Sequence, residues 1–385
     1  MSFIHLRNFI LLLMTAWFTA GCEPRDDTPY PLALPQNFPL PIIPEDNPLT
    51  AAKVELGRHL FYDPALSANQ TQSCSSCHQQ SYAFAEVNTT SIGSTGEKHR
   101  RNAPALVNIA YNKTLTWAHP GLTSLEQQIL IPMFAEAPIE LGITGHEQTV
   151  LKRFTNTTYQ KLFTAAYGDT EVTFERINFS LASFVRALIS LDSPFDRYAY
   201  QNDDDAISAS AKRGMNLFFS ETFECHHCHG GFNFTQSTFH EQQRLDRRPF
   251  HNTGLYNVAN LGQYPEQDFG VAEFTQQAQD NGRFRAPTLR NIELTAPYMH
   301  DGSVATLEEV LNIYAAGGRN IEQGSFSGDG RQHPAKSPFV KGFEMTEQQR
   351  NDLIAFLQTL TDEKFIKNPA FANPWKSSRV KISER

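Results

Sequence analysis

A mainly α fold in two domains joined by long loops is predicted, on three observations. Apolar residues recur at helical spacing along the chain, strand signals are weak and short, and one pentapeptide pattern occurs twice, far apart. The two copies are Cys74-Ser75-Ser76-Cys77-His78 and Cys225-His226-His227-Cys228-His229. Cys-x-x-Cys-His is the attachment signature of a c-type haem. Its thiols add to the haem vinyl groups, and the adjacent His supplies the proximal nitrogen to iron. Together the copies use four of the five cysteines. Cys-x-x-Cys also occurs in zinc and redox sites. Here both motifs run directly into His, and no further cysteine pair remains to complete a four-ligand zinc site.

In chain order, the first element is an export signal over 1–22. His5 and Arg7 lie in a short polar start, followed by an apolar run from Phe9 to Ala20. That run is too short to span a bilayer but suits a signal-peptide core. Thr19-Ala20-Gly21-Cys22 resembles a bacterial lipobox in which Cys22 would be lipidated, although Leu usually stands where Thr19 does. Ordinary cleavage near Gly21, leaving a free Cys, is the alternative. Either way export to the periplasm is expected, with a lipid anchor as an option. Residues 23–48 are rich in Pro and read as an extended tether. The net charge of −8 argues against a nucleic-acid partner.

The remaining chain suits a first haem domain over 49–202, a second over 203–360, and a tail over 361–385. Asn202-Asp203-Asp204-Asp205 forms a polar joint between the domains. A helix is predicted over 174–198, with Ile177, Leu181, Phe184, Val185 and Leu188 at helical spacing. A second, over 211–219, leads into the second haem motif. Thr306-Leu307-Glu308-Glu309 reads as a capping box, with Leu307, Val310, Leu311 and Tyr314 following on one face. A further helix over 346–360 opens on Thr346 and Gln349 and stripes Leu353, Phe356, Leu357 and Leu360.

At this point longer motifs identify a family. Leu56-Gly57-Arg58-His59-Leu60-Phe61-Tyr62-Asp63, Ala286-Pro287-Thr288-Leu289-Arg290-Asn291 and Thr295-Ala296-Pro297-Tyr298-Met299-His300-Asp301-Gly302 resemble the bacterial di-haem cytochrome c peroxidase and MauG family. The resemblance implies two cytochrome c-like haem domains, two covalently bound haem c groups, and a calcium ion between the domains. It also implies an N-terminal haem that reacts with peroxide and a C-terminal haem that transfers electrons.

Other implied roles follow by motif. The peroxidases carry a removable His ligand in a Gly-His sequence after the first motif. Here the match is Ile92-Gly93-Ser94, so the first haem is expected to be open, with His99 as the substitute ligand to exclude. Tyr314 stands where the peroxidases place a distal Met and MauG a Tyr, and Met299 and Met345 are rival ligands outside that position. A phenolate stabilises Fe(III) and higher states, whereas thioether sulfur stabilises Fe(II). Trp117 corresponds to the tryptophan between the haems. Gln128, Pro132 and Glu140 resemble the distal pocket of the first haem, where a carboxylate can move a proton between peroxide oxygens. Asn102, Thr295 and Pro297 match the calcium ligands and offer oxygen donors.

A narrower resemblance joins Gly93-Ser94-Thr95-Gly96-Glu97, Leu115-Thr116-Trp117-Ala118 and Ile131-Pro132-Met133-Phe134 to the MbnH branch. Those enzymes are paired with a small copper-binding protein and oxidise a Trp of it. The expected activity is therefore haem-dependent peroxidase or oxidase chemistry. In it, H2O2 oxidises the haem pair by two electrons and a small exported partner protein is modified. A detoxifying peroxidase fed by a small cytochrome is the alternative. A plain di-haem electron carrier is a third, and it would keep both irons six-coordinate.

Overall fold

The computed structural model describes residues 25–36, 38–245 and 249–376. Among them the only paired strands are Asn320–Ile321 and Gly328–Asp329, a short antiparallel ribbon. Helices and long loops make up the rest, as expected. Cys22 and the export segment lie outside the described residues. No helix among the described residues is long and apolar enough to cross a membrane.

Two hydrophobic cores form, one around each haem motif. Leu56, Leu60 and Phe61 of helix Ala51–Phe61 meet Ile177, Leu181 and Phe184 of helix Phe174–Arg186 in the first. Phe218 of helix Ala209–Phe218 meets Leu353, Phe356 and Leu357 of helix Glu347–Gln358 in the second. The two crossings share one device. A Cβ added at Gly57 would lie 1.9 Å from the Ser180 carbonyl oxygen and 2.9 Å from Phe184 Cβ. At Gly214 it would lie 1.9 Å from the Asp352 carbonyl oxygen and 2.9 Å from Phe356 Cβ. Each crossing is thus backbone on backbone, closer than any side chain permits. Gly57→Ala and Gly214→Ala are each expected to destabilise the protein by about 1–3 kcal/mol or more, read as a lowered denaturant midpoint.

The helix starts follow the capping logic. Thr306 accepts from the Glu309 N–H (3.1 Å), while the Glu309 carboxylate accepts from the Thr306 N–H (3.1 Å). Gly317 ends that helix, Leu307–Ala316, in the left-handed conformation at φ 76°. Thr346 and Gln349 form the matching box on Glu347–Gln358.

Three expectations are corrected. The helix predicted over 174–198 stops at Arg186, and a separate helix, Pro194–Tyr200, follows. The reason is local. Pro194 has no N–H to donate into a continuing helix, and Ser193 accepts from the Asp196 N–H (3.2 Å) to begin a new one. Phe195 then packs in the second core, ahead of the acidic joint. The last segment is no trailing tail up to residue 376. Phe365 and Phe371 are buried in the first core, and the Tyr62 hydroxyl donates to the Phe371 carbonyl (2.7 Å).

Among the described residues, none before Leu49 lies in a helix. Tyr30, Leu32 and Ile43 pack on the first core, and the Tyr111 hydroxyl donates to the Pro39 carbonyl (2.8 Å). The two cores are laced by ion pairs and backbone bonds. Arg101 pairs with Asp268 (2.6 Å), Arg100 with Glu273 (2.6 Å), and the Asn102 N–H donates to the His300 carbonyl (2.8 Å). Arg290 and Asp196 form a fully buried bidentate pair, both bonds 2.8 Å, beside the second haem motif.

Candidate di-haem site

The first motif folds as one helical turn, Cys74–Cys77, whose start is tied by the Ser73 N–H donating to the Ser76 hydroxyl (3.0 Å). His78 Nδ1 lies 2.9 Å from the Phe84 carbonyl. A carbonyl only accepts, so Nδ1 carries the proton and Nε2 keeps its lone pair for a metal. Burial pushes the imidazole pKa down, which keeps the ring neutral as a ligand must be. His78, Cys74 and Cys77 line one apolar cavity together with Trp117, Gln128, Pro132 and Glu140. The predicted distal residues therefore all face the predicted first haem.

Glu140 is held by its backbone. Its carbonyl accepts from the Ser94 N–H (2.8 Å), and the neighbouring Ile139 N–H donates to the Glu97 carboxylate (2.9 Å). Its side chain is 37% exposed, but that exposure opens onto the cavity that Glu140 lines. Surrounded by protein, the carboxyl is pushed up to about 7 by burial. Ser94 is absent from the cavity lining, whereas His99 lines it, with its side chain 13% exposed. His99 Nδ1 sits 3.6 Å from Glu140 Oε1, and its Nε2 is buried with no hydrogen-bond partner. Gln128 Oε1 is a second unpartnered buried atom lining this cavity. A polar molecule such as peroxide would find a donor or acceptor at each.

The second motif mirrors the first. His229 Nδ1 faces the carbonyls of Pro287 (3.1 Å) and Phe234 (3.2 Å), again leaving Nε2 for iron. Burial lowers its pKa to about 4. Cys225, Cys228 and His229 line the second cavity with Tyr314 from helix Leu307–Ala316. Burial pushes the Tyr314 phenol up, so it stays neutral unless a cation draws off its proton. Met299 also lines this cavity and Met345 does not.

Arg285 was not foreseen, although it immediately precedes the Ala286-Pro287 motif. It is buried in the second cavity's wall, where it donates through Nε to the Thr116 carbonyl (3.0 Å). Its Nη1 has no partner, and burial lowers its pKa to about 10. A buried guanidinium bonded only to neutral carbonyls, with Nη1 unpartnered, calls for an anion, and a haem propionate is one. Two apolar cavities, each with a Cys pair, a His presenting Nε2 and unpartnered polar groups, thus fit two haem c groups.

Trp117 lines both cavities, and its Nε1–H donates to the Asn102 carbonyl (2.7 Å). Asn102, Thr295 and Pro297 come together along the second cavity. Asn102 Nδ2 donates to the Asn88 carbonyl (2.9 Å).

The chain is similar to known proteins over most of its length. A family model described as di-haem cytochrome c peroxidase matches residues 51–205, and one described as RoxA-like, cytochrome c-like matches 283–315. The methylamine utilization protein MauG of Methylorubrum extorquens is 34% identical over 83% of this chain and 81% of its own length. The cytochrome-c peroxidase IdrP1 of Pseudomonas sp. strain SCT is 32% identical over 92% of this chain and 91% of its own. Among solved structures, a MauG-like protein associated with microbial copper homeostasis is 45% identical and superposes with a TM-score of 0.87, covering 90% of this chain and 99% of that one. The chain belongs to the di-haem cytochrome c peroxidase and MauG family of haem-dependent enzymes.

Proposed function

We propose that this enzyme uses H2O2 to oxidise a residue, most simply a Trp, on a small exported partner protein. The observation that carries this reading is Trp117 lining both haem cavities, with Tyr314 facing the second and Glu140 the first. When bound, the haems supply peroxide reduction and storage of the two oxidising equivalents. The chain's residues do the rest. Glu140 would move a proton between the two peroxide oxygens, beside His99 and Gln128. Trp117 links the cavities, and Tyr314 would hold the second iron as an oxygen donor that favours its oxidised state. Asn102, Thr295 and Pro297 would hold a calcium ion through oxygen donors. The similarity to a MauG-like protein associated with copper homeostasis supports a copper-handling partner. The first residues support export to the periplasm, with Cys22 as the lipidation point.

The test mixes haem-loaded enzyme, H2O2 and a small exported copper-binding protein encoded nearby, and looks for oxygen added to a Trp by mass spectrometry. Robust multi-turnover oxidation of a reduced small cytochrome, with no partner modification, would favour the detoxifying peroxidase instead. Trp117→Phe is expected to slow partner oxidation severalfold while leaving both ferric spectra nearly unchanged.

The first iron is expected to be open without prior reduction, because Ser94 stands outside the cavity, and His99, which lines it with Nε2 unpartnered, is the rival ligand to exclude. Fully oxidised protein should bind cyanide directly. A low-spin first haem that becomes high-spin in His99→Ala would instead make His99 the sixth ligand.

A further inference from the structure

Glu221, His226 and His227, absent from the lining of both haem cavities, gather metal-capable atoms beside the second motif. His226 and His227 are the two residues between Cys225 and Cys228, so attachment of the haem would pin their backbone. Their rings lie 4.2 Å apart at 34°, and Phe339 stacks on His227 at 4.4 Å and 14°. Both Nε2 atoms turn toward Glu221. Its Oε1 is 3.6 Å from His226 and its Oε2 is 3.4 Å from His227. Glu224 approaches from the other side, with Oε2 at 2.8 Å from His227 Nε2 and Oε1 at 2.7 Å from Lys341 Nζ.

An ordinary ion pair accounts for His227 and Glu224. It does not account for His226. That ring's Nε2 stands beyond hydrogen-bond distance from Glu221, and its Nδ1 is buried with no partner. Nor does it explain why Glu221, 80% exposed, leans over two imidazoles. The spacing does suit a shared ion. Bonds of about 2.0–2.1 Å to nitrogen and oxygen place tetrahedral donors roughly 3.3 Å apart, close to the 3.4 and 3.6 Å from the two Glu221 oxygens to the two rings, and donor atoms of all three residues lie within 4.8 Å of one another.

We propose that Glu221, His226 and His227 form a surface binding site for a divalent late first-row metal ion, with solvent completing the coordination and the ion taking the place of the proton that His227 shares with Glu224. Two imidazole nitrogens with carboxylate oxygens suit Zn(II), Ni(II) and Cu(II) and disfavour calcium and magnesium, which take oxygen donors. Affinity rises toward Cu(II) in the usual order for such ligands. The site differs from the calcium position in place and in donors, and it does not depend on the partner-oxidation reading.

The experiment uses haem-loaded protein freed of loosely bound metal by a chelator, then titrated with Zn(II) and with Cu(II) against a chromophoric competitor. One equivalent should bind, and excess calcium should not displace it. The Cu(II) electron paramagnetic resonance spectrum should show nitrogen hyperfine structure from two imidazoles. His227→Gln should weaken binding by about 10–100-fold. Glu221→Gln keeps the haem motif intact and should also weaken binding, with peroxide reactivity unchanged. Binding only at millimolar metal, equal affinity in wild type and both variants, or a copper spectrum of oxygen donors alone would overturn the site.

Discussion

Replacing Tyr314 by Phe is expected to remove the low-spin ferric signature of the second haem and, with it, efficient retention of the second oxidising equivalent. The exchange deletes one oxygen and keeps the ring, so the apolar wall of the cavity and the helix Leu307–Ala316 should persist. What is lost is chemical. Burial alone holds the phenol protonated, since its pKa is pushed up in the absence of a cation. Coordination to iron would reverse that, its positive charge drawing the phenol pKa far below the free value of about 10. An anionic oxygen ligand then lowers the potential of the couple. Tyr314→Met should act in the opposite sense, raising the potential on the order of 0.1 V or more, because axial ligands tune haem over about 0.8 V. Paramagnetic resonance and potentiometry on the haem-loaded variants check both. An unchanged low-spin signal in Tyr314→Phe would transfer the ligand role to another residue, with Met299 the first to examine since it shares the cavity.

What could be read without coordinates was what lies close in sequence. The Cys-x-x-Cys-His motifs locate both haems because attachment chemistry and axial ligation fall within five consecutive residues. The Thr306–Glu309 and Thr346–Gln349 boxes are equally local, and both helices begin where they predict. Tyr314, Trp117, Gln128, Pro132 and Glu140 were placed through family motifs, and all face the expected cavities. The break before Pro194 had a signal, Ser193-Pro194, that the apolar stripe ahead of it masked. Three features had no local signature. Phe365 and Phe371 return to the first core across the whole chain, through too short a segment to show a period. Arg285 becomes informative only when its Nη1 is seen buried without a partner. His99 meets Glu140 because the Ser94 N–H and Glu97 carboxylate fasten two loops together, a contact that no spacing encodes.

Glu140→Gln is expected to slow the reaction with H2O2 by about 10²–10⁴-fold, the usual scale for a positioned general acid–base group. Gln keeps the shape and the polarity but can neither take nor give the proton. The pH dependence follows from the raised pKa of about 7. Below it the carboxyl is protonated and cannot accept the peroxide proton. The wild-type rate should therefore climb as pH rises through that value and level above it. The groups facing Glu140 are His99, 3.6 Å away, and Glu97, whose carboxylate holds the Ile139 N–H. His99→Gln should shift the midpoint of the profile without removing it, whereas Glu140→Gln should flatten it. Stability should move the other way. A carboxyl raised above its ordinary value binds its proton more tightly in the folded state. The folded protein thus loses stability relative to the unfolded chain as pH climbs from the ordinary carboxylate range toward about 7. Glu140→Gln removes that loss and should be the more stable protein at neutral pH, while being the slower enzyme. Stopped-flow peroxide kinetics paired with denaturant unfolding across the same pH range would read both signs. A variant that is slow because it is poorly folded would show them falling together, and that result would remove Glu140 from the proton-transfer step.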